Sequence, residues 1–560
     1  MRIFHGCILF GLTSSAVVHY PLHKTLWPLP SLLEIKGSED HRCLLTSSLK
    51  FRSNIKDITP QHLELFESLL YRTEIHPEAI DAPLCKVSIC SINLKGDHHI
   101  RPGHDNPEQY SIFLSPQGCD IICETVEGCI RAAYTLSQIP DHLNTIPASL
   151  VHIADSPTFS HRGILLDTSR HFYPIPLILE HLDIMAHTKM NVFHWHITDD
   201  HAFPLRLDCC SKARTYSPEK IYTKDDVIAV KQYAALRGIK VLIELDMPAH
   251  LNSLTAGYPE LVGKANFGLD PTSEKTYAFV HTILSELKTL GINEIHLGGD
   301  ETESAWDTPE IAKWAALNLP KGNIQKSLMR YWFKRVSEIT DGLGLRVTMW
   351  DDFLVDGLEG IRGEELSTAS TPANNVTWQV WLSEWDQVKA LAKRHRVVYS
   401  KPYYLDHMDL PWEKFFEAEL FKEPSSQPFS LQPGLVGAEA CMWSERADSS
   451  DSIAKVWPRS AAMAGRLWSL EAFAANEGEK GNPNAAVVNL ASWVCKMRAR
   501  NFQVDPIGNS PAVDPVVPFQ DGTDLIQWQC PGVVQAGESV SVGSNGGIPS
   551  AKDDVVTLEI

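Results

Sequence analysis

Between Gly163 and Trp443 one pattern recurs eight times: a short apolar, β-branched run, a loop, then a stretch of helical period. The runs are GILLDTS (163–169), NVFHWHI (191–197), IKVLIELD (239–246), EIHLGGDE (294–301), RVTMWDD (346–352), NVTWQVW (375–381), RVVYSKPYYLD (396–406) and LVGAEACMW (435–443). Segments such as PIPLILEHLDIMAHTKM, DDVIAVKQYAALRG, EKTYAFVHTILSELKTLG and IQKSLMRYWFKRVSEITDGLG lie between them, several ended by glycine. Near-continuous apolar strands alternating with helices predict a parallel sheet covered by helices. Eight repeats predict its closure into a (β/α)8 barrel, so the fold class is α/β. A doubly wound nucleotide fold loses support because no strand is followed by a GxGxxG or GxxxxGK[ST] loop.

A chain of 560 residues exceeds a single core. Residues 20–155, with short strands (CKVSICSINL, YSIFLS, CDIICE) and one helix (PQHLELFESLLYR), read as a smaller α+β domain, and the barrel takes 160–504. Residues 505–560 are rich in Gly, Pro, Ser and Asp without sustained periodicity and read as a loosely ordered tail. Residues 1–19, with Arg2, the apolar run Ile8 to Leu12 and small residues up to Ala16, read as a secretory signal peptide. No later stretch reaches the roughly 18 apolar residues of a membrane span.

A formal charge of -19 with no Lys/Arg cluster argues against nucleic acid as a partner. The 23 histidines gain charge below about pH 6.5, which suits a secreted or vacuolar/lysosomal protein. Of 12 cysteines, Cys7 leaves with the signal peptide, so an odd eleven remain and one is unpaired within the chain. Cys119 and Cys123 form a CxxxC in an apolar run without partner histidines, which favours disulfide chemistry over zinc.

A barrel builds its site at the carboxyl ends of its strands. Those ends carry Arg170, Asp199 with Asp200, Asp246 with His250, Asp300 with Glu301, Trp350 with Asp351, Trp381, Tyr404 with Asp406, and Trp443 with Glu445. Flat rings stack on the CH faces of a sugar while carboxylates and Arg bind its hydroxyls, so carbohydrate is the expected ligand. In HLGGDE (296–301), Gly298 and Gly299 let the backbone present two consecutive acids. An ionised Asp300 beside it is expected to raise the pKa of Glu301 and keep it protonated as a general acid. On these residues alone, an acidic cap at a helix N-terminus is equally consistent. HWHITDDH (194–201) resembles a zinc-ligand pair, which requires further His ligands and a bridging Lys or carboxylate on later strands; those ends supply Trp instead. His194 and His196 are then expected in hydrogen-bonded packing beneath the site, with no metal and no cofactor.

HLGGDE resembles the H-x-G-G-D-E signature of family 20 glycoside hydrolases, the β-N-acetylhexosaminidases. RGILLDTSRHF, KMNVFHWHITDDHAFPL, YTKDDVIAVKQYAALRGIKVLIELDMPAH, VTMWDD, KPYYLD, GAEACMWSE and WPRSAAMAGRLWS resemble family motifs in family order, and LWPLP (26–30) resembles the entry to its zincin-like, non-catalytic N-terminal domain. The resemblance spans about 26 to 504 and implies an exo-acting, retaining hydrolase of terminal β-linked GlcNAc or GalNAc, with the substrate's 2-acetamido oxygen as nucleophile. It implies that Asp300 orients the acetamido group, that Glu301 is the acid/base, and that Asp199 and His250 relay to it. It further implies that Arg170, Asp406 and Glu445 bind sugar hydroxyls, that Trp350, Trp381 and Trp443 wall the pocket, and that Tyr404 holds the acetamido oxygen.

The chain departs from the family pattern in places. Ala249 stands where glycine is usual and is expected to strain the loop carrying His250, Tyr403 stands where tryptophan is usual, and Gly465 replaces a glutamate, which is expected to loosen a hydrogen-bond network. EGCIRAAYTLSQI (127–139) follows the family's domain-linking pattern only loosely. Cys495 and Cys530 resemble its C-terminal disulfide, and homodimers are common in it. Asn375 begins a glycosylation sequon. Two other functions remain open on the sequence: a non-catalytic N-acetylglucosamine-binding protein on this scaffold, and a metal-dependent barrel hydrolase.

Overall fold

The computed structural model describes residues 25–36, 42–70, 85–94, 108–140, 145–147, 150–354, 376–421, 434–470, 483–507, 540–541 and 555–556. The expected signal peptide, Asn375 and most of the expected tail lie outside the described residues.

All eight predicted strands form: β8 (His161–Asp167), β9 (Val192–Thr198), β10 (Lys240–Leu245), β11 (Glu294–His296), β12 (Arg346–Trp350), β13 (Val376–Val380), β14 (Arg396–Tyr399) and β15 (Leu435–Met442). They close into a barrel in which every neighbouring pair, β15 against β8 included, runs parallel. The predicted helices appear at Ile175–His187, Lys224–Ala235, Glu274–Thr289 and Ile324–Leu343, the last ended by Gly344 in the left-handed region at φ 64. Side chains alternate along a strand, so Phe193 and Trp195 of β9 pack outward among apolar side chains. His194 and His196 enter the lumen, where they meet carboxylates on β10 and β15.

A seven-stranded mixed sheet precedes the barrel, in the order β1 (Leu32–Lys36), β7 (Leu150–Asp155), β4 (Tyr110–Ser115), β5 (Gly118–Cys123), β3 (Cys85–Leu94), β2 (Arg42–Ser53), β6 (Thr145–Pro147). Helices Pro60–Leu70 and Val126–Leu136 accompany it, the second capped by the Thr125 side chain on the Gly128 N–H. A buried ionic joint ties this sheet to the barrel. Arg131 and Arg162 both donate to Glu108, and Arg131 also reaches the carbonyls of Arg237 and Gly238. Lys189 pairs with Asp155 at 2.6 Å. Such a pair holds because each buried charge has its partner; removing one leaves the other uncompensated.

Gly465 is required for space: a Cβ there would come within 2.3 Å of the Trp27 ring, so the glycine admits an indole whose Nε1 donates to the Ala461 carbonyl. One expectation fails here. The cysteine arithmetic undercounts free thiols. Cys123 is bonded to Cys129, not to Cys119, and Cys90, Cys119, Cys209, Cys210 and Cys441 are free. Cys495 is disulfide-bonded, and Cys530 lies outside the described residues.

Candidate active site

Strand β11 stops at His296, and Gly298 (φ 62) and Gly299 (φ 105) carry the chain out of the sheet. Both glycines are required for space as well as for conformation. A Cβ on Gly298 would lie 1.8 Å from Asp246 Oδ1, and one on Gly299 would lie 2.7 Å from Phe353. The Gly299 N–H donates to Asp246 Oδ1 at 3.0 Å, which aims the next two residues into the mouth.

Asp300 is largely buried and Glu301 is 63% exposed at its side chain. His250 stands between them, Nε2 lying 3.6 Å from Asp300 Oδ2 and 3.5 Å from Glu301 Oε2, while its Nδ1 is 3.6 Å from Asp199 Oδ1. The relay residues named from sequence therefore meet. The strain expected at Ala249 falls instead on its neighbour: His250 (φ 49) and Glu301 (φ 52) are both left-handed. A non-glycine residue there costs of order 1–3 kcal/mol, a cost the surrounding structure must sustain.

The electrostatics correct a second expectation. Glu301 is pulled below, not above, the usual carboxylate range, because the His250 imidazole 3.5 Å away outweighs partial burial. Burial disfavours charge on His250, yet Asp246, Asp199, Glu301 and Asp300 hold it protonated far above the ordinary histidine value. Asp300 is pushed up chiefly by burial. Burial also opposes charge on Asp199, but the bond from His196, with His250 and Arg170 nearby, holds its carboxyl well below the usual range.

Arg170 spreads over three acids, 3.2 Å from Asp167, 2.8 Å from Asp199 and 3.8 Å from Glu445, with its guanidinium 5.3 Å above the Trp443 ring. Trp350, Trp381, Tyr404 and Trp443 pack with Leu165 and Cys441 into one small cluster apart from the main core. Asp406 borders it, pushed up by burial. Asp200 takes a structural part, accepting the Asn252 N–H at 2.9 Å.

HWHITDDH answers the metal question by its bonding. Glu244 is the hub: Oε2 lies 2.5 Å from His196 Nδ1 and 3.0 Å from His194 Nε2, and Oε1 lies 2.9 Å from Trp350 Nε1 and from His296 Nδ1. His196 Nε2 continues to Asp199 at 2.8 Å, and His194 Nδ1 to Glu439 at 2.6 Å, which also binds His161 at 2.8 Å. His194, Glu244 and His296 are close enough to be considered as a metal triad. However, both nitrogens of His194 and of His196 lie against carboxylates, an arrangement that suits charge-paired imidazoles. Burial alone would lower His194, but Glu439 and Glu244 lift it to about 9, and Glu244 and Asp199 hold His196 charged in the same way.

Three groups escaped the sequence reading. Glu244 and Glu439 each interrupt an apolar strand run, the signal that a charge faces a polar lumen. Asp352, beside Trp350 in the VTMWDD motif, touches two of the named site residues.

A barrel of this construction, with an acidic pair and an indole-lined mouth, is that of a glycoside hydrolase. Residues 159–471 match the model of glycosyl hydrolase family 20, catalytic domain. The chain is 34% identical to beta-hexosaminidase 3 of Arabidopsis thaliana over 440 residues, 75% of this chain and 77% of that one. It is 32% identical to the human beta-hexosaminidase subunit beta, covering 75% of each. Its fold matches the exo beta-N-acetylglucosaminidase of Vibrio harveyi in complex with N-acetylglucosamine, with a TM-score of 0.69 at 20% identity over 86% of this chain and 78% of that one. The chain belongs to glycosyl hydrolase family 20.

Proposed function

We propose that the protein is an exo-acting β-N-acetylhexosaminidase that removes terminal, non-reducing β-linked GlcNAc or GalNAc from chitooligosaccharides or glycoconjugates with retention of configuration. The observation that carries this is the joining of Asp300, Glu301, His250 and Asp199 at one mouth of a family 20 barrel, in the same chain as the packed indole cluster of Trp350, Trp381 and Trp443.

In this reading the acetamido oxygen attacks the anomeric carbon as the bond to the leaving oxygen breaks, forming an oxazolinium ion. Asp300 orients the acetamido N–H and stabilises the cation, and Tyr404 holds the acetamido oxygen. Glu301 protonates the leaving oxygen, then takes a proton from the water that opens the oxazolinium. The exposed Glu301 gains its proton affinity when the sugar covers it, since desolvation disfavours the carboxylate. Its link to His250 and Asp199 returns it to the ionised state for the second half-reaction. Trp350, Trp381 and Trp443 wall the sugar, and Arg170, Asp406 and Glu445 bind its hydroxyls.

The carbohydrate is bound as substrate, without a metal or cofactor in any step. A secreted or vacuolar/lysosomal site of action and a homodimeric state belong to the same proposal; the Cys123–Cys129 bond supports an oxidising compartment. The test is hydrolysis of an aryl β-N-acetylglucosaminide at pH 4 to 7 in chelator-containing buffer, wild type against Glu301→Gln. Activity lost only in the variant supports the reading. Binding of N-acetylglucosamine without turnover by the wild type leaves a sugar-binding protein, and loss of turnover to chelator alone makes it a metal hydrolase.

A further inference from the structure

Asp352 is buried behind the mouth, and its two oxygens serve two different strand ends. Oδ1 accepts the backbone N–H of Glu301, beyond β11, at 3.2 Å. Oδ2 accepts Nε1–H of Trp381, beyond β13, at 2.7 Å. One carboxylate on the loop after β12 therefore ties the residue read as acid/base to a wall of the sugar pocket.

The neighbouring residue separates this from ordinary loop building. Asp351 accepts the N–H groups of Trp381, Leu382 and Ser383 and the Ser383 hydroxyl, at 2.8 to 3.2 Å, and so fixes the 381–383 turn by itself. What Asp352 adds is the indole orientation and the anchor of a left-handed Glu301, a conformation that needs an outside hold. The acids around it are Asp300 and Asp351; burial, then Asp300, push its carboxyl up to about 8, while the Trp381 and Glu301 N–H groups favour its charge.

We propose that Asp352 is a positioning residue for the hydrolysis, holding Glu301 and Trp381 in register as one unit across three strand ends. This rests on the reading of Glu301 as acid/base given above. The register matters because a displacement of about 1 Å at a reacting group costs on the order of 100-fold in rate.

The test is kcat, KM and their pH profiles for the wild type, Asp352→Asn, Trp381→Phe and the double variant on an aryl β-N-acetylglucosaminide. Asp352→Asn puts an amide N–H against one of the two N–H donors, and kcat is expected to fall about 10- to 100-fold with a higher KM. Trp381→Phe keeps a ring but removes the donor, and is expected to lower kcat as well as raise KM. The double variant should lose less than the product of the single losses.

Multiplicative losses, or a Trp381→Phe variant changed only in KM, would overturn the proposal. The last result decides even if Asp352→Asn does not fold. A wild type without turnover removes the acid/base reading itself, whereas wild-type turnover with multiplicative losses removes only the bridge.

Discussion

Replacing Glu244 by Gln should change how stability responds to pH, in a direction the lumen network fixes. In the wild type, His194 lies between Glu244 and Glu439 and is lifted from 6.5 to about 9. A histidine raised on folding contributes stability that is complete below its unfolded value and is lost as pH rises through its folded value. At about 1.4 kcal/mol per unit, the lift is worth about 3 kcal/mol, lost between about pH 6.5 and 9. The variant keeps the share that Glu439 supplies, while His196 loses one of its two carboxylates. The wild type should therefore lose about 2 kcal/mol more than the variant from pH 7 to 9. Removing one partner from a buried ion pair costs about 3–5 kcal/mol, so the variant should also melt well below the wild type at pH 7. The assay is thermal unfolding at half-unit steps from pH 6 to 9.5. Groups untouched by the substitution contribute the same slope to both proteins and cancel in the difference. Two parallel curves would refute the assignment of charged histidines in the lumen.

Other consequences are as direct. Gly465→Ala should lose roughly 1–3 kcal/mol to overpacking, because its Cβ meets the Trp27 ring; combining it with Trp27→Ala should cost less than the sum of the two. Arg170→Lys keeps the charge but not the fork that spans Asp167, Asp199 and Glu445, and KM should rise about tenfold with little loss of melting temperature. His250→Ala removes the imidazolium that holds Glu301 down, so the alkaline limb of the pH-rate profile, set by loss of the Glu301 proton, should move upward as kcat falls; an unmoved limb would show that Glu301 does not depend on His250.

How much of this was legible in the sequence follows from which forces are local. The eight strands and their helices follow the hydrophobic period, and the mouth residues follow from where a barrel strand ends. Gly298 and Gly299 announced their positive φ because no other residue fits the turn. What escaped depends on contacts distant in sequence. Glu244 and Glu439 are single acids in apolar runs until β10 and β15 set them around His194. The reason for Gly465 lies 438 residues away, in Trp27. The lowered Glu301 could not be read from its neighbour Asp300 because the left-handed backbone turns its side chain toward His250 instead.

The central claim is that the substrate's own acetamido oxygen is the nucleophile, with Asp300 orienting the acetamido N–H and Tyr404 holding the oxygen. The most direct measurement is kcat for aryl β-glucosaminides whose N-acyl group carries zero, one, two or three fluorines, since each fluorine withdraws electrons from that oxygen without changing the leaving group. A steep, progressive fall in kcat with fluorination is the predicted result. A kcat that stays level across the series would contradict the account and assign the attack to an enzyme carboxylate or a water.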